Sequence, residues 1–250
     1  MVCKNCGNEV SGNFCSICGQ KSSVKKINLK YILNEIPNSI LQLNRGFLYT
    51  AKELTIRPGH CIRAFLAGKR VRHYQPVAFL LITTSLYILA TYLMDRETFF
   101  YDMLSGFVEG MQGDSELTEN KYLLWIYKFQ IYFPLVVLLF FSISTYLAFY
   151  RSQYNYFEHL VINLYITGQQ MILYFIFTFI FFKDNSLLIV PILIGMAYNS
   201  WTFIQLFEHK KLYTKLGLII LVYLIFISLL VLFALLIFGV AVIVYKLAGY

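Results

Sequence analysis

Charged residues are scarce in this sequence, at 14% of 250 residues, where soluble domains carry about 25%. Long uncharged runs accompany the scarcity, and 58% of the chain is hydrophobic with a mean hydropathy of +0.63. An ordinary soluble globular domain is excluded by that combination, and a polytopic membrane protein is indicated. Acids are nearly missing from the first third: residues 1–74 hold three Asp/Glu against twelve Lys/Arg. No internal repeat of solenoid length and no low-complexity tract occurs. The N-terminus lacks the apolar core and cleavage site of a secretory leader, so no signal peptide is expected before the first cysteine. Recognisable catalytic motifs are also missing. There is no H-E-x-x-H, no G-x-S-x-G, no dinucleotide fingerprint and no pair of intramembrane carboxylates. Intramembrane metalloproteases need more ligands than one His–acid pair supplies. Ion-coupled carriers usually show repeat symmetry and broken helices in both halves, which this chain does not.

The first feature present is Cys3, Cys6, Cys15 and Cys18, spaced C-x2-C-x8-C-x2-C. Each C-x2-C sets two thiolates on one tight turn. Gly7 and Gly19 directly follow the second cysteine of each pair and allow the positive φ that turns backbone N–H groups toward sulfur. Two such knuckles make a closed S4 site suited to structural Zn²⁺, with iron fitting the same ligands. Disulfides fit poorly if this end is cytosolic. A 20-residue ribbon has almost no core, so the metal must supply its folding energy. Asn13, Phe14 and Val10 offer a minimal hairpin and one buried side chain. A docking or structural role is the expectation, and nucleic acid is not favoured.

Residues 23–76 form a basic linker. Leu29, Ile32, Leu33, Ile36, Ile40 and Leu43 recur at helical spacing, with Pro37 predicting a break into two short helices. Interspersed Lys and Arg suggest helices lying in the membrane interface, with a small soluble pack against the ribbon as the alternative. Pro58 suits the first turn of a further helix. Gly68-Lys69-Arg70 resembles a phosphate loop only superficially, because Arg63 stands where its first glycine should be and Arg70 replaces Ser/Thr. Lys69, Arg70 and Arg72 are better read as a stop at the cytoplasmic headgroups that contacts anionic lipid. Cys61, the fifth cysteine, reads as a small buried thiol.

The ribbon, the Arg45-Gly46-Phe47, Thr50, Leu54, Arg57-Pro58-Gly59 pattern, and Gly68-Lys69-Arg70 followed by Tyr74-Gln75-Pro76 together carry a resemblance. So does Glu158-His159-Leu160-Val161. The chain resembles a family of zinc-ribbon-tipped bacterial membrane proteins, common in Bacteroidetes, that carry domain of unknown function 3667. The resemblance runs over nearly the whole chain, is specific in the first third and is loose after Phe79. It implies an integral membrane protein of bacterial origin and brings no known activity.

Five stretches are long enough to cross a bilayer at about 20 residues each: 77–94, 131–149, 160–182, 186–207 and 216–245. The expected fold is therefore all-α: a ribbon over 1–22, the linker over 23–76 and a helical membrane domain over 77–250. Charge alternates along it, with net +9 in 1–74 and net −5 in 95–121. The positive-inside rule then puts the N-terminus in the cytoplasm of a bacterial inner membrane and the C-terminus in the periplasm. Phe100, Met103, Leu104, Phe107 and Met111 predict an interfacial helix on the outer face, and a lid is the functional version.

Polar residues within spans are costly and mark candidate sites. Glu158, His159 and Asn163 could meet Asn199, Thr202 and Gln205 in a cytoplasm-facing pocket. Ordinary hydrogen bonds between packed helices explain the same residues. Three functions follow. An interaction or assembly protein docking a cytosolic or membrane partner comes first. A small permease or channel using the pocket is the alternative. An enzyme working on lipid through Glu158 and His159 comes last.

Overall fold

A computed structural model describes residues 1–24, 26–39, 46–95, 98, 133–180 and 189–247. The expected outer helix over 100–111 and the Lys183-Asp184-Asn185 turn lie outside them. Among the described residues every regular element is an α-helix. The order is α1 (Leu29–Ser39), α2 (Gly46–Ile56), α3 (Pro58–Leu66), α4 (Pro76–Leu93), α5 (Phe133–Ala148), α6 (Tyr156–Ile180), α7 (Ile189–Leu206) and α8 (Leu212–Leu247). The ribbon contributes two isolated antiparallel bridges, Val2 with Glu9 and Phe14 with Lys21.

Local chemistry sets where these helices begin. Asn28 caps α1 by accepting the Tyr31 N–H at 2.8 Å. Pro58 and Pro76 stand at the first positions of α3 and α4, where a missing N–H costs nothing. Asn155 and Glu158 form a reciprocal capping box at the head of α6: Asn155 N–H donates to the Glu158 carboxylate at 2.8 Å, and Glu158 N–H to Asn155 Oδ1 at 3.0 Å. The break expected at Pro37 does not occur there, and α1 runs through it to Ser39.

Among the described residues three helices are long and apolar enough to cross a membrane: Pro76–Leu93, Tyr156–Ile180 and the Leu212–Leu236 part of α8. The expected spans over 131–149 and 186–207 lie partly outside the described residues. The described part of α5 is 16 residues long. The described part of α7 is 18 residues long. The long window of α8 is only 11% buried, which leaves most of its side chains for lipid.

The bundle is built around α6. Helix α4 lies along it, and Gly168 permits the contact: a Cβ there would stand 2.6 Å from the Phe79 ring and 3.3 Å from Leu80 Cα. Helix α5 packs against both α6 and α8. The α2–α3 pair covers one side of this core. It packs into the bundle, α2 and α3 against α6 and α3 against α7. Leu54, Ile62 and Phe65 are fully buried there. The physical reason is that these side chains find protein partners of matching shape, so their apolar face is satisfied without lipid. Tyr198 Oη donates to Leu54 O at 2.9 Å and Gln169 Nε2 to Thr55 Oγ1 at 2.8 Å, fixing α2 on both neighbours.

Candidate metal centre and the cleft beneath it

Both knuckles fold alike. Gly7 N–H donates to Cys3 O at 2.9 Å and Gly19 N–H to Cys15 O at 2.8 Å. Gly7 and Gly19 take the left-handed φ values of +78° and +72° that their positions after Cys6 and Cys18 demand. Cys3, Cys15 and Val10 are the module's whole buried core. The four sulfurs come within 4.8 Å of one another, with Cys3–Cys18 at 3.6 Å and Cys6–Cys15 at 3.5 Å. Tetrahedral ligands about 2.3 Å from Zn²⁺ stand about 3.8 Å apart, so the donor set fits such an ion without rearrangement. These are not disulfides, because all five cysteines are free. The Asn8 backbone N–H, helped by the Asn8 side chain 3.4 Å from the sulfur, holds the Cys6 thiol down at about 6. That favours the thiolate a metal needs.

The module sits on the turn between α3 and α4. Gln20, just beyond the second knuckle and 5% exposed, makes the junction. Its Nε2 donates to Gly68 O at 2.9 Å and its Oε1 accepts the Arg70 N–H at 3.1 Å. Gly68 has φ +100°, and a Cβ there would lie 2.9 Å from Lys4 Cδ and 3.2 Å from Val24 Cγ1. Between the knuckles and the outer face of α2–α3 lies a cleft of about 670 Å³. Asn5, Cys6, Ile17 and Cys18 form one wall, and Tyr49, Glu53, Arg57, His60, Lys69 and Arg72 are on the other. Arg57 grips Glu53 at 2.6 and 3.1 Å and holds its carboxyl below the usual range. Burial pushes the neighbouring Cys61 thiol up to about 12, and lowers His73. Cys61 is thus the inert buried thiol that its sequence setting suggests.

The basic cluster does not act as one group. Lys69 and Arg72 line the cleft. Arg70 turns away and lays its guanidinium over the rings of Tyr31 at 4.5 Å and Phe65 at 5.1 Å.

The six polar residues of the expected pocket likewise have separate partners. Glu158 belongs to the capping box of α6. His159 is fully buried, with Nε2 3.4 Å from Ser152 Oγ and the rings of Tyr146, Tyr154 and Phe207 around it. Asn163 Nδ2 donates to Thr145 Oγ1 at 2.9 Å, His159 O at 3.0 Å and Ser142 Oγ at 3.3 Å, tying α6 to α5. Asn199 accepts from Gln170 Nε2 at 3.0 Å and donates to Tyr223 Oη at 3.3 Å. Thr202 bonds back to Tyr198 O at 2.8 Å within its own helix. Gln205 accepts the Gly59 N–H at 3.2 Å. Among the described residues no hydrogen bond joins the Glu158, His159, Asn163 set to the Asn199, Thr202, Gln205 set.

Several residues that matter here escape a reading of the sequence. Gln20 carries no motif. Arg63 reads as one more basic residue, yet it donates to Gln205 O and Leu206 O and pairs with Glu208, closing the C-terminal end of α7. Lys215 does the same from the other side, donating to Ile204 O at 2.8 Å. Gly59 had a signal available: a glycine in the first turn of a helix invites a close approach, and here the backbone of α7 supplies it.

Fold and site together define an all-helical protein with membrane-spanning candidates and a possible four-cysteine metal centre. A family model described as Protein of unknown function (DUF3667) matches residues 44–88. That segment holds α2, α3, the basic turn and most of α4, so it includes one whole wall of the cleft. No curated protein and no solved structure matches the chain.

Proposed function

We propose that this is a five-span protein of a bacterial inner membrane whose zinc ribbon, seated on the α2–α3 pair, docks a protein partner for assembly or regulation. The observation that carries the reading is the Gln20 junction, which makes the metal module a fixed part of the membrane protein rather than a tethered tip. A closed S4 centre has no open position for chemistry, so the ion's contribution is to build a surface. The cleft below it, with Arg57, Lys69 and Arg72 exposed and Tyr49 half-buried on one wall, is the receiving face. Residues 1–22, 23–76 and 77–250 remain its three parts, with α2–α3 bound to the bundle. Spans 131–149 and 186–207 complete the five, the first built on α5 and the second on α7. The N-terminus is cytoplasmic, the C-terminus periplasmic, and anionic lipid headgroups meet the basic face of 57–76. A permease would need the six polar residues to share a pathway, and the hydrogen bonds they make within and between helices hold them to separate partners.

The test is crosslinking in native membranes followed by affinity capture of the intact chain, a Cys3→Ser/Cys6→Ser variant and a form starting at residue 24. The reading predicts one set of crosslinked proteins that both altered forms lose while still inserting in the membrane. Identical capture by all three would overturn it.

A further inference from the structure

We infer that the membrane domain reads the occupancy of the metal centre, and that Gln20 is the positioning residue that transmits it. The inference rests on the metal reading of the four cysteines and not on any partner. The line of contacts is continuous. Gln20 holds Gly68 O and the Arg70 N–H from the knuckle side. Arg70 lies over Tyr31 and Phe65. Phe65 meets Tyr165 of α6 edge-on, ring centres 5.3 Å apart. Tyr165 Oη donates to Tyr74 O at 2.5 Å, and Tyr74 N–H to Thr50 Oγ1 at 2.7 Å, two residues before α4 begins. Two candidate spans therefore touch the same turn that the ribbon grips.

The ribbon's fold makes the grip depend on the ion. A dication with four thiolates carries a formal −2, and Lys69 and Arg72 face the Cys6 and Cys18 knuckles across the cleft, with Lys4 packed over Gly68. Without the ion nothing ties the two knuckles to each other. The module, with three buried core residues, then loses its fold, and Gln20 loses its position with it. The two states differ in contacts at the turn, which is what coupling between two sites requires.

The experiment is hydrogen exchange on the full chain in nanodiscs of phosphatidylcholine with phosphatidylglycerol, before and after chelation and after Zn²⁺ is restored. Metal content is counted in parallel, so that failure to bind metal is seen separately. The amides of Arg70 and Tyr74 report. Exchange over 67–75 is expected to rise about tenfold or more on metal removal and to recover with Zn²⁺. In Gln20→Ala, still holding one ion per chain, exchange is already fast and changes less than about twofold on chelation. A Lys69→Glu/Arg72→Glu variant, which leaves the ribbon untouched, should reduce the metal-dependent change likewise if Gln20→Ala fails to hold the ion. Equal exchange with and without metal in the natural chain would overturn the inference. So would a full metal response in metal-loaded Gln20→Ala, or in the double variant where that is the form tested.

Discussion

Gly59→Ala tests how α3 is held against α7. A Cβ at position 59 would stand 2.4 Å from Gln205 Cβ, 2.5 Å from Leu206 N and 2.6 Å from Gln205 C. Two of those atoms are backbone, so the strain cannot be relieved by one side chain turning aside. Separating the helices also lengthens the Gly59 N–H bond to Gln205 Oε1 and moves Arg63 from the carbonyls it closes. Overpacking of this kind costs about 1–3 kcal/mol, and one weakened hydrogen bond adds about 1 kcal/mol. A total of roughly 2–4 kcal/mol lowers the thermal midpoint of a chain this size by about 5–10 °C. Intrinsic fluorescence of detergent-purified protein, heated at one fixed rate, measures it. Gly217→Ala is the matched control. It is the same change inside α8, and a Cβ there meets nothing within 4 Å. Its midpoint should stay or rise slightly, since Ala is the better helix former. A Gly59→Ala midpoint equal to that of the natural chain would refute the close contact, and so would an equal fall in both variants.

Asn163→Leu should cost only about 0.6–1.7 kcal/mol, measured by the same thermal assay, because its loss strands little. Ser142 and Thr145 already donate to Leu138 O and Ser142 O at 2.7 and 3.0 Å. Cys61 should resist alkylation at pH 8 in metal-stripped protein while the ribbon cysteines are modified, as mass spectrometry of the peptides will show. Its thiol is raised by burial from 9.0 to about 12 in the folded chain. The stability it contributes is therefore full below pH 9 and is lost as the pH rises toward about 12. Cys61→Ala should flatten that part of the stability–pH curve.

Much of the outline was legible because it rests on short-range rules. Cysteine spacing and the glycine after each pair predicted the knuckles, down to the sign of φ at Gly7 and Gly19. Pro58 predicted where α3 begins. Hydropathy located α4, α6 and α8 within a few residues. What was illegible depends on which helix lies beside which. Leu54, Ile62 and Phe65 would be satisfied by lipid or by protein, and only the packing of α2–α3 on α6 and α7 decides between them. The polar pocket failed to assemble for the same reason. Spacing places His159 and Asn163 on one face of α6, but only packing decides that Asn163 meets Ser142 and Thr145 of α5. Gln20 and Gly59 act through partners 48 and 146 residues away, and no local pattern encodes such pairings.

The most direct measurement of the central claim is X-ray absorption at the zinc edge of purified full-length protein, with metal counted on the same sample. The account predicts one zinc per chain in a shell of four sulfurs at about 2.3 Å. It also predicts that Cys15→Ser, at a buried ligand, removes the ion. A ribbon that is folded without any metal, or a shell of nitrogen and oxygen, would contradict it.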